Sequence, residues 1–238
     1  ARTLSEVEGL TAVYIGPDLW KEKENPLFTE DKRVWSAWRK KACNDKMTVR
    51  CGYWEIPGRP KVVLVDYTGY MDDKDAIYGE LWNDYGVDSL HGYGDYDDSM
   101  IFGYAVGKAI ESFYNTNIKK GSNVVVQAHE WQSGNAALYV KKHLPAVGTI
   151  FTTHATSIGR SIASNGKPLY DYFEGYNGDQ MAAELNVESK QSVEKVTAAN
   201  IDCFTTVSEI TARECKQLLE RECDVILENG FEKDFVPV

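Results

Sequence analysis

Several signatures of familiar protein classes are missing from this sequence. It has five cysteines, an odd number, and no Cys-x-x-Cys pair, which argues against a disulfide framework or a zinc ribbon and predicts reduced thiols in a cytosolic protein. No apolar run approaches a membrane-spanning length, and no signal peptide opens the chain. Lys and Arg number 26 against 36 Asp and Glu, so the net charge of -10 disfavours a sequence-independent nucleic-acid binder.

Common catalytic motifs are also missing. The sequence has no Gly-x-Ser-x-Gly elbow, no Walker loop and no dinucleotide fingerprint. Cys203 falls within a predicted strand, which disfavours nucleophilic cysteine chemistry. What is present is apolar content: 43% of the residues are hydrophobic and 12% aromatic, enough for a sizeable core and too much for a disordered chain. The 238 residues therefore predict a single α/β domain.

Short β-branched runs recur along the chain and predict strands. Several are continuously apolar rather than alternating, which is typical of strands buried on both faces in a parallel sheet. The predicted strands are 11–16, 61–67, 123–129, 148–154, 202–207 and 224–228.

Helical patterns lie between these strands. Ser99 is placed to cap one helix, and Ser208 begins a Ser-x-x-Thr start of another. The alternation predicts right-handed βαβ units and a doubly wound, mostly parallel, Rossmann-like sheet. Residues 48–57 and 61–67 predict an antiparallel hairpin around Pro57-Gly58. The predicted helices are 73–85, 99–113, 133–143, 187–200 and 208–219, plus one amphipathic helix within 16–44.

The beginning of the chain is unusual for this class. Residues 1–9 are typical of the end of a helix, and no strand with a phosphate-binding glycine turn precedes them. We therefore expect that the start of the domain, including its first strand, has been removed.

Polar side chains follow four of the predicted strands. In open α/β sheets, ligands bind beyond the carboxyl ends of the strands. His129 and Glu130 follow the third strand, His154 ends the fourth, Ser208 and Glu209 follow the fifth, and Asn229 follows the sixth. This edge is the predicted ligand site.

His154 and Arg160 are the sharpest candidates at this edge. A histidine can donate to a sugar hydroxyl or stabilise developing charge, and an arginine six residues later can pair with a phosphate. The alternative is that His154 only ends its strand with a satisfied hydrogen bond and that Arg160 is solvated. The residue pattern alone leaves both interpretations open.

Three other groups have structural alternatives. His129 and Glu130, with His154, could suggest a metal site, but the spacing matches no known zinc site, and packing of one side chain beneath the sheet is favoured. The acidic run 95–98 predicts a solvated helix N-terminus. Trp35 and Trp38 lie three residues apart and predict packing rather than a sugar platform.

Five strings of this sequence resemble one family. They resemble the glycogen synthases of glycosyltransferase family 3, and the resemblance runs from near the start of the chain to its end. IFTTHATSIGR followed by FTTVSEIT is the most specific part, and YNGDQMAAELNVESK is compatible with a bacterial member. The strings are IGPDLWKEKENPLF, HEWQSGNAALY, IFTTHATSIGR, DCFTTVSEITARECKQLLER and ENGFEKDF.

The resemblance implies an activity and roles for four residues. Two Rossmann-type domains would face each other across a cleft that binds a sugar nucleotide, usually UDP-glucose. Glucose would be added, with retention, to the non-reducing end of an α-1,4-glucan, and no metal or redox cofactor would be required. His154 would contact the transferred glucose, and Arg160 would lie beside it in the cleft. Glu130 and Asn229 would line the same cleft and bind substrate.

The resemblance also implies missing parts. Residues 1–238 would be the N-terminal, acceptor-side domain of a cytoplasmic enzyme. The Lys-Val-Gly-Gly loop of the family should precede Ala1, and the C-terminal nucleotide-binding domain should follow Val238, so the chain alone is expected to be inactive. Glu228 stands where the family usually has proline before Asn-Gly. A homo-oligomeric parent is compatible with the resemblance.

Two other functions remain alternatives at this stage. The chain could be a non-catalytic glucan-binding or regulatory half-domain built on the same fold. It could also be part of a sugar-nucleotide epimerase, which shares the two-domain architecture, but IFTTHATSIGR disfavours that reading.

Overall fold

The computed structural model describes residues 2–230 except positions 22, 24 and 45. The strands in this part of the chain are β1 (Val13–Pro17), β2 (Phe28–Glu30), β3 (Thr48–Trp54), β4 (Lys61–Asp66), β5 (Val125–His129), β6 (Gly148–Thr153), β7 (Cys203–Thr206) and β8 (Val225–Ile226). The helices are α1 (Arg2–Ser5), α2 (Ser36–Ala42), α3 (Lys74–Tyr85), α4 (Asp95–Asn117), α5 (Gly134–His143), α6 (Ser157–Ser164), α7 (Gly178–Leu185), α8 (Glu188–Asn200) and α9 (Glu209–Leu218). Three 3₁₀ turns cover Thr68–Asp73, Trp131–Ser133 and Phe173–Gly175.

The chain divides into two compact units. Unit 1 comprises residues 1–77 and 101–123, and unit 2 comprises residues 78–100 and 124–238. The division falls within α3 and within α4. None of the helices in the described residues is long and apolar enough to cross a membrane.

Unit 1 contains a mixed sheet in the order β1-β4-β3-β2. β1 runs parallel to β4, whereas β3 pairs antiparallel with both β4 and β2. The predicted hairpin is confirmed: Tyr53 lies opposite Lys61, and Gly58 between them takes a φ of 86°, which residues other than glycine rarely adopt. The unbroken apolar run of β4 explains why residues 62–65 are all buried.

Aromatic packing in unit 1 confirms the structural reading of the two tryptophans. Trp38 is buried, and its Nε1 donates to Ser112 Oγ at 3.2 Å. Trp35 and Trp38 both meet the Phe113 ring edge-on at 5.0 Å. These rings therefore pack against α4 and do not form a sugar platform.

Unit 2 contains a four-stranded parallel sheet in the order β5-β6-β7-β8. Helices occupy the connections, with α5 between β5 and β6 and α9 between β7 and β8. This arrangement confirms the predicted α/β class and its parallel, Rossmann-like sheet. The core beneath the sheet includes Phe151 and Phe204, whose rings stack at 5.9 Å.

Of the two predicted helix caps, one is wrong and the other is confirmed. Ser99 does not cap its helix, because α4 already begins at Asp95 and the Ser99 hydroxyl donates back to the Asp95 carbonyl. The acidic run instead occupies the first turn, as predicted, where carboxylates suit the helix dipole. Ser208 is confirmed as the cap of α9, since its hydroxyl accepts from Thr211 N at 3.2 Å.

Two helices of unit 2 were not predicted. α6 begins after the cap Thr156, and α7 begins after the cap Asn177. Each is eight residues long, which is too short for a clear apolar period. The prediction has no helix between residues 154 and 187, whereas Arg160 lies in the first turn of α6.

Candidate functional site

The candidate site lies where β5 and β6 end side by side. The two strands are parallel, and His129 at the end of β5 stands opposite Thr152 of β6. His154 follows β6 by one residue, so both histidines reach the same edge of the sheet. The predicted ligand edge therefore gathers His129, Glu130 and His154 as neighbours.

The backbone of Glu130 is strained. Its φ of 62° and ψ of 163° lie in a region that is almost restricted to glycine. The surroundings hold this conformation: Glu130 N donates to Thr152 O at 2.9 Å, and the Ser133 hydroxyl donates to the carbonyl oxygens of His129 and Glu130. Such strain typically occurs where a side chain must point in a particular direction for function.

The carboxylate of Glu130 forms hydrogen bonds with both His154 and Arg160. Its Oε1 accepts from the backbone N of His154 at 3.2 Å and from Arg160 Nη2 at 3.3 Å. The Arg160 side chain is 62% exposed and that of Glu130 is 22% exposed. A guanidinium carries five N–H donors, so Arg160 keeps donors for an anionic ligand while Glu130 orients it.

The two histidines form a hydrogen-bonded pair. His129 Nδ1 lies 3.1 Å from His154 Nε2. One ring must donate and the other accept, so the two imidazoles cannot both be fully protonated. His129 is exposed at the strand end, but nearby protein atoms exclude enough water to lower its pKa, with His154 as the second cause. Burial and the neighbouring His154 therefore favour the neutral form of the His129 ring.

His129 and Glu130 do not form a wider ligand cluster for a metal. Within the described residues, no group of three or more His, Cys, Asp or Glu side chains is arranged to hold an ion. The prediction that one of the two side chains packs beneath the sheet is not met, because His129 is exposed and Glu130 is half-buried with its carboxylate turned to His154 and Arg160.

Helix α6 sets the direction of Arg160. Thr156 caps it, accepting from Gly159 N at 3.0 Å through its hydroxyl. Ile158 and Ile162 on one face are completely buried in a cluster with α7 and α9 residues, including Met181 and Leu218. Arg160 lies between them in sequence on the opposite face, which explains its exposure at the sheet edge.

Asn229 is not brought into this cluster. It is exposed three residues beyond β8, and β8 is separated from β6 by β7. Neighbouring strands lie about 4.8 Å apart, which places the end of β8 roughly 10 Å from that of β6. Glu228 and Gly230 flank Asn229 and are also exposed, whereas residues 231–235 of the same motif lie outside the described residues.

The prediction missed two buried glutamates behind His154. Glu194 on α8 is fully buried, and Glu214 on α9 is nearly so. Burial, with a smaller contribution from the charge of Glu130, raises the pKa of Glu194 to about 7. A helical wheel could have found Glu194, because it shares the buried face of α8 with Thr197 and Ala198.

Comparisons with known proteins point to one family. Residues 15–236 match the family model described as glycogen synthase. The chain is 33% identical over 183 residues to the liver glycogen [starch] synthase of Rattus norvegicus, covering 77% of this chain and 26% of that protein. It is 34% identical over 186 residues to glycogen [starch] synthase of Dictyostelium discoideum, covering 78% and 21% of the two chains.

A third relative matches to the same degree. Glycogen [starch] synthase isoform 2 of Saccharomyces cerevisiae is 34% identical over 181 residues, which cover 76% of this chain and 25% of that protein. The chain spans about a fifth to a third of the length of the curated relatives it matches, from 21% to 33%.

Proposed function

The chain belongs to the glycogen synthase family, and on that premise we propose that it forms part of a retaining glucosyltransferase. The proposed reaction transfers glucose from a sugar nucleotide, UDP-glucose, to the non-reducing end of an α-1,4-glucan in glycogen synthesis. The observation that carries this proposal is the hydrogen-bonded group of Glu130, His154 and Arg160 at the carboxyl edge of the sheet. That edge is where ligands of open α/β sheets bind.

In this proposal His154 and Arg160 are the catalytic residues. Departure of a nucleoside diphosphate leaves an oxocarbenium-like sugar and a growing negative charge on the phosphate oxygens. His154 contacts the glucose being transferred, and the Arg160 guanidinium, with free N–H donors, stabilises the phosphate charge. Groups held in place before the reaction contribute most, because they need not reorganise as charge develops.

Glu130 and Asn229 are proposed to bind substrate. Glu130 already fixes the backbone of His154 and the side chain of Arg160, so its contribution includes their orientation. Asn229 is exposed farther along the same edge and offers both a donor and an acceptor to a polar ligand.

The rest of the proposed enzyme lies outside this chain. We propose that residues 1–238 are the N-terminal, acceptor-side domain and that a C-terminal nucleotide-binding domain completes the cleft, since the matched relatives are much longer. The chain alone is then inactive. No metal or redox cofactor is required for transfer, and the enzyme works in the cytoplasm, where its sugar nucleotide is made.

The direct test measures incorporation of labelled glucose from UDP-glucose into glycogen. A longer protein that joins this chain to the proposed nucleotide-binding domain should transfer glucose, and the 238-residue chain should not. His154→Ala in the longer protein should lower kcat/KM by roughly 10²–10³, the usual loss for one transition-state donor. The matched control is His143→Ala, because His143 is exposed at the far end of α5 and should leave turnover unchanged.

Two results would contradict the proposal. Glucan elongation by the isolated chain would show that no further domain is needed. Normal turnover of His154→Ala would remove its catalytic role. If the chain co-sediments with glycogen and the longer protein transfers nothing, a glucan-binding half-domain is the better description.

A further inference from the structure

Two buried carboxylates lie directly behind the segment Thr153–Arg160, which we call the His154 segment. Glu194 comes from α8 and reaches the first half of this segment. Its Oε1 accepts from the Thr153 hydroxyl at 3.2 Å, and its Oε2 accepts from the backbone N of Ser157 at 2.7 Å. The two bonds bracket His154 on both sides in the chain.

Glu214 comes from α9 and reaches the second half. Its Oε2 accepts from the Thr156 hydroxyl at 2.9 Å, and its Oε1 accepts from the Tyr170 hydroxyl at 2.6 Å. Thr156 in turn caps α6 through Gly159 N. α8 and α9 therefore both hold one turn of the chain that lies 37 to 58 positions before the residues that contact it.

The packing around this turn leaves no room for a side chain at position 159. A Cβ atom at Gly159 would lie 2.6 Å from Thr156 Oγ1 and 2.7 Å from Glu214 Oε2. Both glutamates bond to hydroxyl and amide donors rather than to a cation in the contacts described above, and carboxylates in a dry interior are expensive to bury. Apolar residues would stabilise such a site at least as well, so the carboxylates require another explanation.

We propose that Glu194 and Glu214 are positioning residues that hold the His154 segment, so that the His154 imidazole and the Arg160 guanidinium meet substrate in a single arrangement. This inference rests on the proposed function of His154. The hydrogen bonds themselves can be tested in the chain alone, without any transferase activity.

Protonation of Glu194 gives a readout that packing alone would not produce. The titratable groups that influence or adjoin it are Glu130 after β5, Cys215 on α9 and Glu214 through the neighbouring Thr156. Raising the pH through neutrality removes the proton from Glu194, which tightens its acceptance from Ser157 N and Thr153. The chemical environment of the Ser157 amide, which donates to Glu194 Oε2, should therefore change with this step.

The experiment follows amide exchange and the Ser157 amide resonance by NMR in the 238-residue chain. Glu194→Ala should speed exchange at Ser157 by roughly tenfold, the factor for one lost hydrogen bond, and leave Leu64 in the unit 1 sheet unchanged. Glu214→Ala should do the same at Gly159, because Thr156 loses the acceptor that holds its hydroxyl in the capping position.

Glu194→Gln keeps the shape and one acceptor but cannot titrate. It should preserve protection at Ser157 and abolish the neutral-pH step in the Ser157 amide resonance that wild type shows. The matched control is Glu184→Gln on α7, an exposed glutamate that pairs with Lys167 and should change neither signal. Because Glu194→Gln is nearly isosteric, it keeps the test decisive even if Glu194→Ala fails to fold.

Three results would overturn the inference. They are unchanged Ser157 exchange in Glu194→Ala, an equal loss of protection in both units, and a wild-type Ser157 pH step that survives in Glu194→Gln. In the longer protein, Glu194→Ala should lower kcat per folded molecule, whereas a purely structural role would lower the rate only in proportion to the folded fraction. Should His154→Ala retain transfer while Glu194→Ala frees Ser157, the proposed function fails and the hydrogen bonds stand.

Discussion

The sheets of the two units differ in what fills their centres. In unit 1, β4 contributes an unbroken apolar run, residues 62–65, all buried. In unit 2, the neighbouring strands β6 and β7 bury four threonines at their carboxyl ends, namely Thr152, Thr153, Thr205 and Thr206. The threonine hydroxyls are bonded: Thr152 and Thr205 meet at 2.8 Å, and Thr206 donates to Thr153 O at 2.9 Å.

Whether a sheet buries apolar or hydroxyl-bearing side chains affects how well it can fix polar groups at the candidate site. Apolar contacts are non-directional, so the β4 core stabilises its sheet without fixing any one polar group. Hydrogen bonds between buried hydroxyls are directional and costly to leave unmade. The Thr153 hydroxyl also donates to Glu194. The hydrogen bonds of the sheet therefore connect to those that hold the segment carrying His154.

The largest expected effect concerns the buried carboxyl of unit 2. Burial raises the folded-state pKa of Glu194 to about 7 from 4.5, so between these values the folded state binds more protons than the unfolded state. The free energy of unfolding should thus fall as pH rises through this range, by at most about 3 kcal/mol from this group. Glu194→Gln should lack this fall, measured by urea unfolding from about pH 4.5 to pH 8.

Comparing Glu194→Gln with wild type isolates the contribution of Glu194, because the two proteins have every other titratable group in common. Identical pH profiles for the two proteins would mean that folding does not raise the pKa of Glu194. The same substitution at exposed Glu184 should leave the wild-type profile intact.

The second prediction concerns the strained residue at the sheet edge. Glu130→Gly and Glu130→Ala both remove the carboxylate, but only glycine relaxes a backbone at φ 62° and ψ 163°. Glu130→Gly should therefore be the more stable by about 1–3 kcal/mol, as measured by thermal or urea unfolding. Equal stability, or a more stable alanine variant, would show that the strain is absent.

The third prediction concerns the paired hydroxyls of β6 and β7. Thr152→Val or Thr205→Val alone removes the short contact between the two hydroxyls and should cost about 1–2 kcal/mol, although Thr152 also accepts from Gln127 and Thr205 also donates to Phe151 O at 3.4 Å. The double variant should cost less than the two together, because it removes both polar groups from the core. Strict additivity in this double-mutant cycle would mean that the 2.8 Å contact contributes nothing.

The smallest effect is expected in unit 1. Lys21 Nζ lies 3.1 Å from Asp66 at the end of β4, and the lysine side chain is 43% exposed. Solvent screening makes such ion pairs weak, so Lys21→Met should change stability by less than about 1 kcal/mol. A larger loss would show that unit 1 also depends on polar contacts and would weaken the contrast between the two sheets.

Much of the fold followed from local pattern. The continuous apolar runs located β4, β5, β6 and β7 to within about two residues, and Pro57-Gly58 located the hairpin. The short helices α6 and α7 were missed, because eight residues hold barely two turns and their stability comes from burying Ile158 and Met181 in a shared cluster. The Ser99 cap was wrong because three aspartates continue the helix one turn earlier.

The candidate site was predicted in part. Strand ends and the family resemblance both identified His154, Arg160 and Glu130, and the structure brings these three together. Their roles and that of Asn229 remain predictions. The pairing of His129 with His154 was not predicted, because it depends on which strands are neighbours and on the register between them.

By itself the sequence determined the α/β class, the family and the edge of the sheet that carries polar side chains. These follow from local periodicity and motif strings, which do not depend on distant contacts. Only the tertiary structure decided that Glu130 would be strained and that Glu194 and Glu214 would hold the His154 segment. Those contacts join residues that are 24 to 58 positions apart, and their direction depends on how whole helices pack against the sheet.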